Sequence, residues 1–192
     1  MNVAILSTGL ANLASVEAAL RRVGAEPVRT EDPRVVRDAT HVVLPGVGAF
    51  GPGMRGLRAR ALDEALRERI ARDRPLLGIC LGMQMLCRSS EEAPGVAGLG
   101  TIPIGVRRHS AAQRLPHLSW ARVGASWLPG GWAYFAHSYA VQEAPEGWEP
   151  AFATYGSPFV AALRRGAVLA CQFHPELSGA WGLSLLSRWV RS

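Results

Sequence analysis

The chain of 192 residues has no lysine: all 21 of its strong bases are arginine. Cysteine is also scarce. The three thiols, Cys80, Cys87 and Cys171, are an odd number without paired metal-ligand spacing, which argues against a disulfide framework and against a zinc site. No long hydrophobic run, low-complexity segment or internal repeat is found. The opening "MNVAILSTGLANL" lacks a basic leader, and its apolar stretch is too short for a signal peptide or a membrane span. A cytoplasmic location with no membrane partner is therefore expected.

What is present fits one globular domain over residues 1–192, since 48% of residues are hydrophobic and 19% charged. The formal charge of +6 raises the question of nucleic acid. The arginines, however, stand singly or in pairs (Arg21 and Arg22, Arg107 and Arg108, Arg164 and Arg165), with no basic stripe interleaved with aromatics. A solvated arginine surface is favoured, and no nucleic-acid partner is expected. An acidic protein partner, or steering of an anionic substrate toward a neighbouring subunit, remains open.

The first half alternates apolar runs with helical patterns. "NVAILS" (2–7) reads as a strand, and Val16, Ala19, Leu20 and Val23 mark one face of a helix. A short strand around Pro27–Arg29, a clearer one at "HVVLP" (41–45), a glycine-rich turn and one helix through Leu57, Leu62, Leu66 and Ile70 follow. "PLLGIC" (75–80) is then a buried strand. Such alternation predicts an α/β fold, a flavodoxin-like open and mostly parallel sheet with helices on both faces. Beyond residue 95 the runs become short and extended, which predicts hairpins, an antiparallel extension in the C-terminal half and a last helix near 179–190.

Three stretches carry candidate chemistry. In "GICLG" a strand turns abruptly toward a helix, a geometry that lifts one side chain above the carboxyl edge of a parallel sheet. Cys80 is that side chain, and a helix amino end beside it favours the thiolate nucleophile. The other reading is a packed cysteine between two glycines. In "CQFHPE", His174 is placed to move the thiol proton and Glu176 to hold the imidazole tautomer; each alone is more readily a strand-end histidine or a helix-entry carboxylate, and only together with Cys80 do they favour catalysis. In "LPGVGAFG" (44–51), the backbone of Gly46, Val47 and Gly48 can face a developing oxyanion together with the N–H of Leu81. The alternatives are an ordinary glycine-rich loop or a phosphate cradle, for which no Walker pattern is present.

Taken in this order and at these separations, "PGVGAFG", "GICLGMQML" and "QFHPE" resemble the triad-type glutamine amidotransferase family. The likeness to the glutaminase subunits of imidazole glycerol phosphate synthase extends to "EEAPGVAGLG", "LPHLSW" and "FAHSYAV". The resemblance implies a Cys80, His174, Glu176 triad that hydrolyses L-glutamine through a thioester, with no cofactor and no metal. It implies glutamine binding by Gln84 and by backbone near His137, Ser138 and Tyr139. It also implies a separate synthase (cyclase) subunit with a (β/α)8 barrel, joined as a heterodimer, which receives the ammonia for histidine biosynthesis. Asn12, His117 and Trp120 are then candidates for the partner face, with a core role for Trp120 left open. Ser119, Ala121, Leu177 and "STGLANL" depart from the family pattern and bear on docking. Two alternatives follow: a related amidotransferase serving another synthase, such as one for surface sugars, or a binding subunit without catalysis.

Overall fold

The computed structural model describes residues 1–7, 13–110 and 113–192. Its first half runs β1 (Asn2–Leu6), α1 (Leu13–Arg22), β2 (Glu26–Thr30), α2 (Pro33–Asp38), β3 (His41–Leu44), α3 (Phe50–Arg58), α4 (Leu62–Ala71), β4 (Leu76–Ile79) and α5 (Leu81–Leu86). The second half adds β5 (Cys87–Ser90), β6 (Ile102–Arg108), β7 (His117–Ala125), β8 (Leu128–His137), β9 (Tyr139–Ala140), β10 (Glu149–Tyr155), β11 (Ser157–Arg165) and β12 (Val168–Cys171). A single 3-10 turn, Pro175–Leu177, leads into α6 (Gly179–Val190).

Among the described residues the large sheet has the order β2-β1-β3-β4-β12-β11-β10-β7-β8. Its first five strands are parallel, in the doubly wound order of flavodoxin-like folds, and the last four extend it in antiparallel fashion. The expected fold class is thus the one observed. Alternation along β1 explains the two covered faces: Val3 and Ile5 pack with α1 and α6, whereas Ala4 and Leu6 pack with α2 to α5. A smaller sheet, β5-β6-β9, stands beside it.

Two expectations need correction. The single helix through Leu57 and Ile70 is broken into α3 and α4, because Ala61 takes a left-handed conformation (φ 52°) between them. And β12 does not sit among the antiparallel edge strands: it returns to the sheet centre, parallel to β4, with Cys171 opposite Ile79. That crossover carries the "CQFHPE" segment to the carboxyl end of β4.

The arginines divide as their surroundings dictate. Arg37, Arg60, Arg67 and Arg164 pair with Glu68, Glu31, Asp63 and Glu149, while Arg29 pairs with Glu17. Arg69 is fully buried and makes five hydrogen bonds to backbone carbonyls: to Val36, Ala39 and Thr40 one each, and two to Pro75, at 2.8–3.1 Å. Its fork ties the end of α2 to the strands on either side. Burial pulls its pKa down to about 10, with Arg74 adding repulsion, so the group remains charged at neutral pH.

Candidate active site

Cys80 closes β4 with φ 52° and ψ −108°, a backbone state that side chains other than glycine rarely adopt. The packing around it shows why the turn is flanked by glycines. A Cβ at Gly82 would lie 1.9 Å from the Leu44 carbonyl oxygen, and one at Gly46 would lie 2.6 Å from the Leu81 Cβ. Strand β3, its following loop and the elbow therefore approach at a distance that only glycine allows. The Cys80 N–H donates to the Cys171 carbonyl at 2.7 Å, which fixes the elbow against β12. Helix α5 after the elbow has six residues and ends where Cys87 turns extended and starts β5.

His174 and Glu176 meet beside this sulfur. The Nδ1 of His174 donates to the Glu176 carboxylate at 2.8 Å, and both side chains are about 5% exposed. Cys80 and His174 line one cavity, and the sulfur is near enough to act on the charge of the imidazole. Burial acts most strongly on His174 and opposes its charge. The hydrogen bonds and negative charges of Cys80 and Glu176 together outweigh it, raising the pKa to about 10. An imidazolium is thus favoured at neutral pH. The segment is anchored from behind: Ser178 Oγ donates to the His174 carbonyl at 2.6 Å and accepts from the Tyr134 N–H at 3.0 Å, and the His174 N–H donates to the Tyr134 carbonyl. Strand β8 therefore holds the imidazole in place.

A cavity of about 330 Å³ opens over the sulfur. Val47, Gly48, Leu81, Gln84, His137, Ser138 and Tyr139 line it together with Cys80 and His174, so the stretches separated in sequence converge here. Gly48 has φ 100°, which explains glycine at that point of the loop. Gly46 is buried under the elbow and faces Leu81 rather than the cavity. Two backbone acceptors of the "HSY" segment are already engaged: the Tyr139 carbonyl by Gln84 Nε2 at 2.8 Å and by His137 Nδ1 at 3.0 Å, the Ser138 carbonyl by the His109 N–H at 3.0 Å. A second cavity, about 270 Å³, lies at the opposite ends of β4 and β12 between Trp127, Leu169 and Trp189, and contains none of the expected site residues.

The other two thiols are inert by comparison. Cys87 and Cys171 are fully buried, and burial pushes both thiols well up, with the Glu176 charge adding to the effect at Cys171.

The candidate partner residues separate. Trp120 is 48% exposed on the outer face of β7, against the ring of Tyr134, and so is not core. His117 is fully buried, stacked on Phe135 and Tyr155, and offers nothing to a partner. Its expected place at the interface gives way because its side chain points to the opposite face of β7 from Trp120, three positions and so an odd number of steps along the strand. Asn12 lies outside the described residues. Two further residues belong to the site that sequence reasoning did not select. Glu92 lines the cavity while its carboxylate caps the N–H of Phe50 at 2.7 Å at the start of α3. Gln172, fully buried, donates to the Cys80 sulfur at 3.5 Å. Neither was visible as chemistry, since both are ordinary polar residues whose partners are more than 40 positions away.

A doubly wound sheet with a strained cysteine at a strand end, a histidine–carboxylate pair near it and a cavity above is an arrangement that suits an α/β enzyme. The comparisons narrow that class. The model of the family "Glutamine amidotransferase class-I" matches residues 8–190. The subunit HisH of imidazole glycerol phosphate synthase from Symbiobacterium thermophilum is 43% identical over 98% of this chain and 93% of its own length. The HisH subunit of Escherichia coli K12 is likewise 43% identical, over 99% of both chains. The Arabidopsis thaliana chloroplastic imidazole glycerol phosphate synthase hisHF is 41% identical over 98% of this chain, which spans 34% of that protein. Among solved structures, a glutamine amidotransferase superposes with a TM-score of 0.82 at 22% identity over 99% of both chains, a likeness of fold. The chain belongs to the class-I glutamine amidotransferases and, within them, to the HisH subunits of imidazole glycerol phosphate synthase.

Proposed function

We propose that this chain is one amidotransferase domain that hydrolyses L-glutamine and hands the ammonia to a synthase subunit with a (β/α)8 barrel, in a heterodimer serving histidine biosynthesis. The observation that carries the chemistry is the meeting of the Cys80 sulfur with the His174–Glu176 pair at the floor of a cavity. The thiolate of Cys80 adds to the side-chain carbonyl of glutamine. Negative charge then develops on the amide oxygen, which the N–H of Leu81 and the loop at Val47 and Gly48 are placed to receive. His174, held with Nδ1 toward Glu176, donates its Nε2 proton to the departing ammonia. Water, deprotonated by the same imidazole, cleaves the thioester and releases glutamate. The Glu92 carboxylate at the cavity wall suits the ammonium of the substrate, and Gln84 lines the same cavity.

The partner face is proposed at the mouth of that cavity. Val47 and Leu177, next to the site, are 41% and 44% exposed, and Trp120 lies on the neighbouring outer face of β7 and β8 with Trp132, which is 60% exposed. Exposed aromatic side chains of this kind are frequent interface anchors. The HisH names describe subunits of a synthase, and the Arabidopsis relative carries two thirds of its length beyond the matched part, which supports a second body that completes the reaction. The test is glutamate release from glutamine by the purified chain, alone and with a cyclase subunit. Release that rises with the cyclase supports the proposal; no release with any partner would move the reading to the binding subunit, and release only with a sugar-modifying synthase to the related amidotransferase.

A further inference from the structure

A chain of amide hydrogen bonds runs from the cavity wall into the sulfur. Gln84 Nε2 donates to the Tyr139 carbonyl at 2.8 Å and to Gln172 Oε1 at 3.0 Å, and Gln172 Nε2 donates to the Cys80 Sγ at 3.5 Å. The direction of this chain is forced. Turning the Gln172 amide over would set its NH2 against the Gln84 NH2, which the Tyr139 carbonyl holds in place, so the Gln172 oxygen faces Gln84 and its NH2 faces the sulfur, which also lies 3.9 Å from the Ala136 carbonyl oxygen. Gln172 is fully buried, and its N–H donates to the Ala161 carbonyl at 2.8 Å, so its side chain has no solvent to turn toward. Of the amide groups in this chain, only the carbonyl oxygen of Gln84 is left for the cavity.

We propose that Gln172 is a further catalytic residue of the glutaminase site: its amide holds the Cys80 sulfur as a thiolate and aims it, and Gln84 sets the orientation of that amide while touching substrate. The proposal rests on the reading of Cys80 as the nucleophile. The physical reason is that an N–H bonded to a sulfur anion in a buried setting is charge-assisted, and so favours the anion over the thiol. No bond is made or broken at Gln172; the proton it shares stays on its nitrogen.

The test replaces the donor without changing the shape. In Gln172→Met the chain keeps its volume and loses the N–H, while Gln172→Asn retains an amide but withdraws it by one methylene. Cys80 reactivity is read as the rate of iodoacetamide alkylation, located by peptide mass across a range of pH, and turnover is read with the cyclase present. Hydrogen bonds to charged groups contribute about 1.5–3 kcal/mol, so the alkylation rate at neutral pH is expected to fall about ten- to a hundredfold in Gln172→Met. That rate should continue to climb with pH beyond the point at which the wild-type rate levels off. kcat should fall by a similar factor with KM changed less than about threefold, and Gln172→Asn should fall between the two proteins. A Gln172→Met protein that folds, as judged by its circular dichroism and melting, yet alkylates and turns over as the wild type does would overturn the role of Gln172. If Gln172→Met does not fold, Gln172→Asn decides the matter by the same readings. Failure of the underlying reading looks different: Cys80→Ala would then keep glutaminase activity, whatever Gln172 does.

Discussion

The backbone at Cys80 makes a prediction about stability that is separable from chemistry. With φ 52° and ψ −108°, the residue sits where a Cβ is crowded by its own peptide groups, at a cost of about 1–3 kcal/mol. Cys80→Ala removes the sulfur but keeps the Cβ, and so keeps that strain. Cys80→Gly removes both. At an ordinary position glycine is less stable than alanine by about 0.4–1 kcal/mol, because the unfolded chain gains freedom. Here the relieved strain exceeds that loss, and Cys80→Gly is expected to be the more stable of the two by about 1–2 kcal/mol. For a chain of this size each kcal/mol moves the melting temperature by about 2–4 °C, so the glycine variant should melt about 2–8 °C above the alanine variant. Differential scanning calorimetry on the two proteins measures the difference, and comparing them with each other cancels the loss of the thiol. Both should lack glutaminase activity. A glycine variant that melts below the alanine variant would show that the elbow is unstrained, and the argument that strain presents the sulfur would fall with it.

Other perturbations test other parts of the structure. Gly82→Ala brings a Cβ within 1.9 Å of the Leu44 carbonyl oxygen and should destabilise the protein by about 3 kcal/mol or more, with loss of turnover, measured by urea unfolding and by glutamate release. Arg69→Lys leaves some of the four bonded carbonyls without donors and is expected to cost about 2–4 kcal/mol in the same unfolding assay. His117 is fully buried, and burial together with its neighbour His109 lowers its pKa to about 4. Because the unfolded chain binds that proton near pH 6.5 and the folded one only near 4, stability present above pH 6.5 is lost as pH falls through this window. The loss is about 3 kcal/mol at most, and His117→Phe, which preserves the stacking on Tyr155, should reduce it. His174 acts in the opposite sense: its raised value of about 10 gives stability that fades as pH rises from 6.5 through 10, and Glu176→Gln should shorten that range.

The residues that were legible from sequence are those with local signatures. The continuous apolar run of "NVAILS", the abrupt "GICLG" turn and the glycine-rich end of "HVVLP" each announce themselves within a few positions, because their signals are local. By contrast, the return of β12 to the sheet centre depends on pairing with β4, about 90 positions away, and nothing in "AVLAC" says which neighbour it will choose. The same limit hid Gln172 and Glu92, whose meaning lies in partners brought close only by folding. The break between α3 and α4 was hidden for another reason: Leu57 and Leu62 preserve a near-helical spacing across it, so the apolar pattern continues where the backbone does not. Helix α2 had a readable signal that went unused, with Asp32 accepting from the Arg34 N–H at 2.8 Å and Pro33 at the first helical position. His117 shows how a motif can name a residue correctly and misjudge its direction: along a strand, adjacent positions face opposite sides, so His117 and Trp120 cannot both look outward.

The most direct test is covalent trapping with a chloroketone analogue of glutamine in the presence of the cyclase, followed by peptide mapping. One adduct per chain on Cys80, blocked by excess glutamine and accompanied by loss of glutamate release, is the predicted result. Labelling of Cys87 or Cys171 instead, or inactivation with Cys80 unmodified, would contradict it.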